Sequence, residues 1–178
     1  MKRILIATTI GLAVLTAGCT GTTGNANPTT TSGGATPTSG SGTASGLESV
    51  KPCDLLTEAE VTSLGLTYPG KAAQVGTSDG CGWNVSGNGG LRAGIRTSSG
   101  VKDLNLQGDK ISQIKVGKYD ATKVEAQDNA KHLCTIAISV SESSSVTVIG
   151  NLTVTSEDTA AACERATKGA ELIASKLP

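Results

Sequence analysis

A stretch of 27 residues near the start of the chain, residues 20–46, limits where a folded domain can lie. It contains nine Thr, seven Gly, four Ser and two Pro, with no charged and no large apolar side chain. A segment of this composition cannot bury enough apolar surface to fold, so it predicts a flexible tether, either bare or carrying O-linked sugars. Folding is therefore restricted to residues 47–178, a length typical of one domain.

The residues before the tether predict export. Lys2 and Arg3 precede a run of apolar and small residues, 4–15, which is shorter than the roughly 20 residues that a membrane-spanning helix needs. This order predicts a signal peptide over residues 1–18. The small residues directly before Cys19 resemble the lipobox of bacterial lipoproteins, in which this cysteine is acylated and becomes the mature N-terminus. The resemblance implies that Cys19 carries palmitate or similar chains and binds the lipid bilayer, the alternative being ordinary secretion without a lipid.

Charge and aromatic content argue against a nucleic-acid partner. The chain has 15 basic and 15 acidic residues, and removal of Lys2 and Arg3 with the signal peptide leaves 13 against 15, a net charge of about −2. Domains that bind nucleic acids carry an excess of basic residues, and those that bind single strands also stack bases on aromatic rings. With one Trp, two Tyr and no Phe, this chain has little to stack on. We therefore expect no nucleic-acid partner.

The predicted domain contains four cysteines: Cys53, Cys81, Cys134 and Cys163. An even number outside the cytoplasm predicts two disulfides. Three pairings are possible, and we favour Cys53 with Cys81 and Cys134 with Cys163, because each would tie a predicted helix region to a predicted strand. Each would stabilise the domain by about 3 kcal/mol. The sequence contains no C-x-x-C and only one His, so we expect no metal and no cofactor.

Hydrophobic patterns predict a helix near each end of the domain with strands between them. Thr57 and Glu60 have the spacing of a capping box, which begins a short helix that ends near Gly65. A second helix is predicted over about 157–176, with Ser156 as its cap. Alternating residues predict strands at 81–85, 91–95, 133–140 and 146–154, and weaker ones within 111–126, broken near Gly117.

These elements predict an α+β domain. We expect a mostly antiparallel sheet of about five strands, with the N-terminal and the C-terminal helix packed on one face and two disulfides. The segments 81–85 and 91–95 should form a hairpin with one wet face, on which Arg92 and Arg96 lie.

Several of these features together resemble a known family. They are the Pro-Cys-Asp-Leu-Leu-Thr start at 52–57 with Glu60, the Cys81-Gly82-Trp83 strand, and the late Cys134 and Cys163. They resemble the actinobacterial lipoproteins of domain-of-unknown-function family 3558 over essentially all of residues 47–178. The resemblance implies a cell-envelope location and no established activity.

Short motifs match catalytic or calcium-binding patterns, but each lacks its context. Residues 76–80 match G-x-S-x-G around Ser78, and His132 follows in the order of a hydrolase triad, yet a strand rather than a helix comes after the Ser. Ser112 and Lys115 fit S-x-x-K without the partner motifs of that enzyme class. Residues 103–108 match the first half of a calcium-binding loop, but the twelfth position of that loop requires Glu and this chain has Ile114 there. We therefore predict no catalytic residue, with a minor hydrolase as the last alternative.

The expected function is that of a non-enzymatic binding or interaction module at the extracytoplasmic face of the cell membrane. Its partner would be another envelope protein or a cell-wall component. The alternative is a carrier of a small apolar ligand or lipid, which a large internal pocket would favour, whereas a filled core with an exposed apolar patch favours the interaction module. Trp83 most simply anchors the core, and it becomes the first candidate for ligand contact if it proves exposed in a cleft.

Overall fold

The computed structural model describes residues 45–178. The predicted signal peptide, Cys19 and most of the tether lie outside the described residues. The described part has an α+β fold built on one antiparallel sheet. Its strands and α-helices, in chain order, are α1 (Glu58–Ser63), β1 (Lys71–Val75), β2 (Ser78–Asn84), β3 (Gly90–Arg96), β4 (Lys110–Val116), β5 (Tyr119–Glu125), β6 (Leu133–Ser141), β7 (Ser144–Asn151) and α2 (Thr159–Ala174).

All seven strands lie in one sheet in the order β1-β2-β3-β7-β6-β5-β4, and every neighbouring pair is antiparallel. Two tight turns, between β1 and β2 and between β4 and β5, depend on glycines at positive φ, Gly76 at 62° and Gly117 at 58°. Glycine adopts this backbone conformation without steric cost, which explains why each strand pair breaks there. The predicted hairpin, the break near Gly117 and the antiparallel pairing of β6 with β7 are confirmed.

The expected number of about five strands is wrong, because the sheet has seven. Residues 110–125 form two strands of seven residues each, the larger of the expected one or two. The prediction also missed β1, whose sequence Lys-Ala-Ala-Gln-Val shows no apolar alternation and is mostly exposed. An edge strand contacts only one neighbour, so its sequence carries a weak hydrophobic signal.

Helix α2 lies across one face of the sheet, mainly on β6 and β7. Its inward side is built from small residues, and a side chain at Gly150 of β7 would place its Cβ only 2.3 Å from the Ala162 carbonyl oxygen. Small residues on both elements therefore let the helix approach the sheet closely. The N-cap is Asp158, whose carboxylate accepts a hydrogen bond from the Ala161 N–H at 2.9 Å, rather than Ser156 as predicted.

The expectation that an N-terminal helix packs on the sheet is wrong. The predicted capping box is present, with the Thr57 N–H donating to Glu60 Oε2 at 2.8 Å, but α1 is only six residues long. It has fewer than two turns and buries only Val61 fully, so it presents too little apolar surface to form a second helical layer. The 3-10 turn Pro52–Leu55, not α1, packs against β1, β2 and β3.

The two faces of the sheet have different environments. The face under α2, here called the filled face, carries the largest buried side chains, including Trp83, Leu91 and Ile136. The opposite face, here called the open face, carries no α-helix among the described residues and is crossed by a segment that we call the strap, residues 101–107. The Ser145 hydroxyl donates to the Ser99 carbonyl at 2.8 Å before the strap, and the Asp128 N–H donates to the Gln107 carbonyl at 3.1 Å at its end.

Candidate ligand-binding site

The four cysteines of the domain form the two favoured disulfides. Cys53 is bonded to Cys81 at 2.06 Å, and Cys134 to Cys163 at 2.05 Å. The second bond joins α2 to the interior strand β6, a helix to a strand as predicted, whereas the first joins the 3-10 turn Pro52–Leu55 to β2. Both bonds therefore hold the layer above the filled face onto the sheet.

Trp83 lies inside the core and is 1 % exposed. Trp83 would be the first candidate for ligand contact if it were exposed in a cleft, and it is not exposed. Its indole N–H has no hydrogen-bond partner, and a side chain at Gly70 would place its Cβ 2.4 Å from this nitrogen. The indole of Trp83 therefore packs directly against the backbone at Gly70.

The catalytic motifs do not assemble the geometry that they would need. Ser78 begins β2 directly after the β1–β2 turn, its hydroxyl is buried, and it donates to the Val75 carbonyl at 2.7 Å. Neighbouring positions of a strand face opposite sides, so Ser112 and Lys115, three positions apart on β4, lie on opposite faces of the sheet. Within residues 45–178, no group of three or more His, Cys, Asp or Glu side chains could hold a metal ion.

Hydroxyl groups line the covered middle of the open face. The side chains of Thr122, Thr135, Ser145 and Thr147 are nearly or completely buried there, although they lie opposite to α2. Thr135 donates to the side-chain oxygen of Gln127. The strap and the residues that follow β5 therefore shield a mixed surface, in which these hydroxyls lie among buried apolar side chains such as Val124 and Ala137.

Arg96 is the one half-buried cation on this part of the open face within the described residues. It stands at the end of β3, and its guanidinium donates to Thr147 Oγ1 of β7 at 2.8 Å and to the Val75 carbonyl of β1 at 3.0 Å. Burial lowers the pKa of Arg96 from its ordinary value. The guanidinium passes over the β1–β2 turn, where a Cβ at Gly76 would lie 2.9 Å from Nη2. The turn glycine thus makes room for the cation.

Two cavities flank the strap. The first has a volume of about 310 Å³ and contains Arg96 in its wall together with Thr77, Thr135 and Thr147. The second has a volume of about 460 Å³ and is bounded by polar residues of β4 and β5 and by Ile111, which is 49 % exposed. Leu104 and Leu106 of the strap line both cavities. The open face thus combines apolar walls, hydroxyls and two cations, the half-buried Arg96 and the exposed Lys102, in concave surfaces, the composition typical of small-molecule sites.

A family model fits nearly the whole chain. It is the model of a protein family of unknown function, DUF3558, and it matches residues 14–176. The chain belongs to the DUF3558 family. No curated protein and no solved structure matches it. Among residues 45–178 of the chain, which the structure describes, no helix has the length and apolar character needed to cross a membrane.

Sequence reasoning assigned Arg92 and Arg96 alike to a wet strand face, and only the first of these assignments holds for this DUF3558 domain. Arg92 is exposed, whereas Arg96, four residues along the same face of β3, is half-buried. The difference comes from the strap and the β1–β2 turn, which close around the end of the strand. Alternation within β3 contains no signal of either contact, so the sequence alone could not single out Arg96.

Proposed function

We propose that this chain is a lipoprotein anchored at the extracytoplasmic face of the cell membrane and that its domain is a non-enzymatic binding module. Support for the location comes from Lys2, Arg3, the apolar run and Cys19 in signal-peptide order, followed by the tether. Two disulfides agree with an oxidising compartment. An actinobacterial origin, which the family resemblance implies, is part of the same proposal.

The open face is the proposed binding surface. The observation that carries this proposal is the half-buried, cation-containing cavity beside the strap, with Arg96 held by two neutral acceptors. The filled face is mostly covered by α2 and by buried side chains. A cavity of about 510 Å³ lies at its edge, between the 3-10 turn Pro52–Leu55 and strands β1 and β2, but its cation, Lys51, is exposed to solvent. We expect another envelope protein or a cell-wall component to contact the open face at the strap.

Photo-crosslinking on intact cells tests this surface. A photoreactive residue at Ile111, which is exposed beside the strap, should give a discrete covalent adduct, whereas the same residue at the exposed Glu171 of α2 should not. Purification through the domain and mass spectrometry would then identify the captured molecule. Equal adducts from both positions, or none from Ile111, would contradict an envelope partner at the open face.

A carrier of a small apolar ligand or lipid is the second candidate function. The two cavities beside the strap favour it, because they share the apolar walls of Leu104 and Leu106. The filled face does not favour it, because Trp83, Leu91 and Ile136 occupy the space that an internal pocket would need. Mass spectrometry of lipids extracted from the purified protein would detect a stoichiometric ligand if the chain is a carrier.

A minor hydrolase is the third candidate. Its nucleophile would be Ser78, which lies in a β-hairpin rather than at a strand-to-helix turn and whose hydroxyl donates to a backbone carbonyl. We expect Ser78→Ala to leave any background ester turnover unchanged, and a loss of turnover in that variant would support the hydrolase instead.

A further inference from the structure

The hydrogen bonds of Arg96 leave part of its guanidinium unused. The group has five N–H donors, and its two bonds, to Thr147 Oγ1 and to the Val75 carbonyl, use one donor on each terminal nitrogen. Both acceptors are neutral. Among residues 45–178, no carboxylate lies within 4.0 Å of this guanidinium. The cation is therefore oriented by the protein without being neutralised.

The acidic side chain in the cavity wall does not serve as the counter-ion of Arg96. Asp103 lines the same cavity, but its carboxylate accepts a hydrogen bond from the Gly100 N–H at 2.8 Å at the start of the strap. Removing a charge from water is costly unless it is paired, so a half-buried and unpaired Arg marks a place where an anion would be stabilised. The negative charge of Asp103 in the wall would disfavour a ligand with a second negative charge.

The rest of the cavity is suited to a small apolar body. Its volume of about 310 Å³ is at the lower end of the range of small-molecule sites, and Leu104, Leu106 and Ile149 form apolar walls. A planar guanidinium that keeps three of its five N–H groups free of these bonds can donate to the two oxygens of a carboxylate.

We infer that the cavity between the strap and β1, β3 and β7 binds a small organic monocarboxylate, with the carboxylate on Arg96 and the apolar body against Leu104, Leu106 and Ile149. This inference rests on the proposed function of the open face and names the ligand class for it. A free aliphatic acid and the terminal carboxylate of a short apolar peptide present the same chemistry.

Calorimetric titration of the full chain carrying Cys19→Ser, which removes the proposed acylation site, tests the inference. Octanoate represents the free acid and N-acetylleucine the peptide-like carboxylate, while octan-1-ol and octylamine match octanoate without the negative charge. We expect at least one of the two acids to bind about 10-fold or more tightly than either control, because a hydrogen-bonded charge pair supplies that difference. Binding of octan-1-ol as tight as that of the acids, or no binding of either acid, would overturn the inference.

Substitutions at two positions on the same strand face assign the binding to Arg96. Arg96→Gln removes the cation and should weaken binding of the acid by about 10-fold or more, and Arg96→Lys should restore only part of the loss because it lacks the planar fork. Arg92→Gln is the matched control, since Arg92 is exposed four residues away on the same face of β3, and it should leave affinity unchanged. Equal losses in Arg92→Gln and Arg96→Gln would overturn the assignment.

Chemical-shift mapping on the chain with Arg96 intact covers the case in which Arg96→Gln does not fold. Addition of octanoate or N-acetylleucine should shift the amide signals of Thr77, Leu106 and Gln127 around the cavity and not those of α2. Shifts confined to α2 would contradict the site. If the acids do not bind but crosslinking from Ile111 persists, the ligand class is wrong and the open face still binds a partner; if the acids bind but crosslinking fails, the envelope partner is the part that is wrong.

Discussion

Gly70 shows how closely single positions constrain the core. A Cβ at this position would lie 2.4 Å from Trp83 Nε1 and 2.5 Å from the Cys81 sulfur, both of which are buried. We expect Gly70→Ala to lower the free energy of unfolding by about 1–3 kcal/mol, because neither group can move away without disturbing the core. Gly82→Ala is the control, since its Cβ would meet no atom closer than Arg92 Cγ at 3.7 Å, an ordinary van der Waals contact. Urea unfolding that shows equal effects of the two changes would contradict this packing.

Ile136 and Ile111 are the same residue type at opposite extremes of burial. Ile136 is 0 % exposed on the interior strand β6, whereas Ile111 is 49 % exposed on the edge strand β4. We expect Ile136→Ala to lower the free energy of unfolding by about 2–5 kcal/mol through lost burial and a new cavity, and Ile111→Ala to change it by less than about 1 kcal/mol. Denaturant unfolding checks both values, and a large loss at Ile111 would mean that the open face is part of the core.

At the scale of elements, Glu60 connects α1 to the end of the chain after α2, because its carboxylate accepts hydrogen bonds from both Thr57 and Lys176. Burial raises the pKa of this carboxyl, but hydrogen bonds from Lys176 and Thr57 and the charge of Lys176 lower it by more, so that it lies below its ordinary value of 4.5. A carboxyl with a lowered pKa in the folded state contributes stability above its unfolded value, and this contribution is lost as the pH falls through the folded pKa.

The pH dependence of unfolding tests this contact. Between about pH 7 and about pH 3, the native chain should lose stability, and Glu60→Gln should lose less because its side chain does not titrate. Glu58→Gln, in the same turn of α1 and exposed, should behave like the native chain. An unchanged pH dependence in Glu60→Gln, measured by urea unfolding, would show that the ion pair contributes nothing.

The two disulfides should contribute similar amounts of stability. They close loops of nearly equal length, with sequence separations of 28 and 29. Replacing both cysteines of either bond by Ala should therefore lower the free energy of unfolding by about 3 kcal/mol. Denaturant unfolding of Cys53→Ala/Cys81→Ala and of Cys134→Ala/Cys163→Ala measures both, and a loss of less than about 1 kcal/mol would contradict a stabilising role.

Local patterns predicted the elements whose sequence signal is strong. The capping box of Thr57 and Glu60, the turn at Gly117 and the alternation of β2, β3, β6 and β7 depend on neighbours in sequence, and the structure confirms them. What failed depends on distant contacts. Edge strand β1 has a weak pattern because it pairs only with β2. The capping box predicted where α1 begins, but it did not show that so short a helix leaves the sheet uncovered.

For the molecule as a whole, sequence predicted where the core lies but not where ligands would bind. The filled face follows from the alternating apolar residues, whereas the cavity around Arg96 arises where the strap, the β1–β2 turn and β7 meet. These segments are far apart in sequence, and no local pattern brings them together. This is why Trp83, conspicuous in the sequence, proved to be a core residue, while an ordinary strand arginine became the candidate site.

Cellular location depends on one residue outside the described structure. If Cys19 carries the proposed acyl chains, the native chain should fractionate with membranes and its mature N-terminal peptide should have the mass of a lipid-modified cysteine. Cys19→Ser should release the protein from the membrane fraction, and Ser45→Ala, at the domain end of the tether, serves as the control. Equal membrane association of Cys19→Ser would contradict the lipid anchor.

Arginine labelling on cells measures most directly whether the open face is occupied in the envelope. Phenylglyoxal modifies accessible guanidinium groups, and mass spectrometry can compare Arg96 and Arg92 between intact cells and the purified chain. We expect Arg96 to be modified much less in cells than in the purified chain, because a bound molecule covers its cavity. The exposed Arg92 should be modified to about the same extent in cells and in the purified chain. Equal modification of Arg96 in cells and in the purified chain would contradict a bound molecule at the open face.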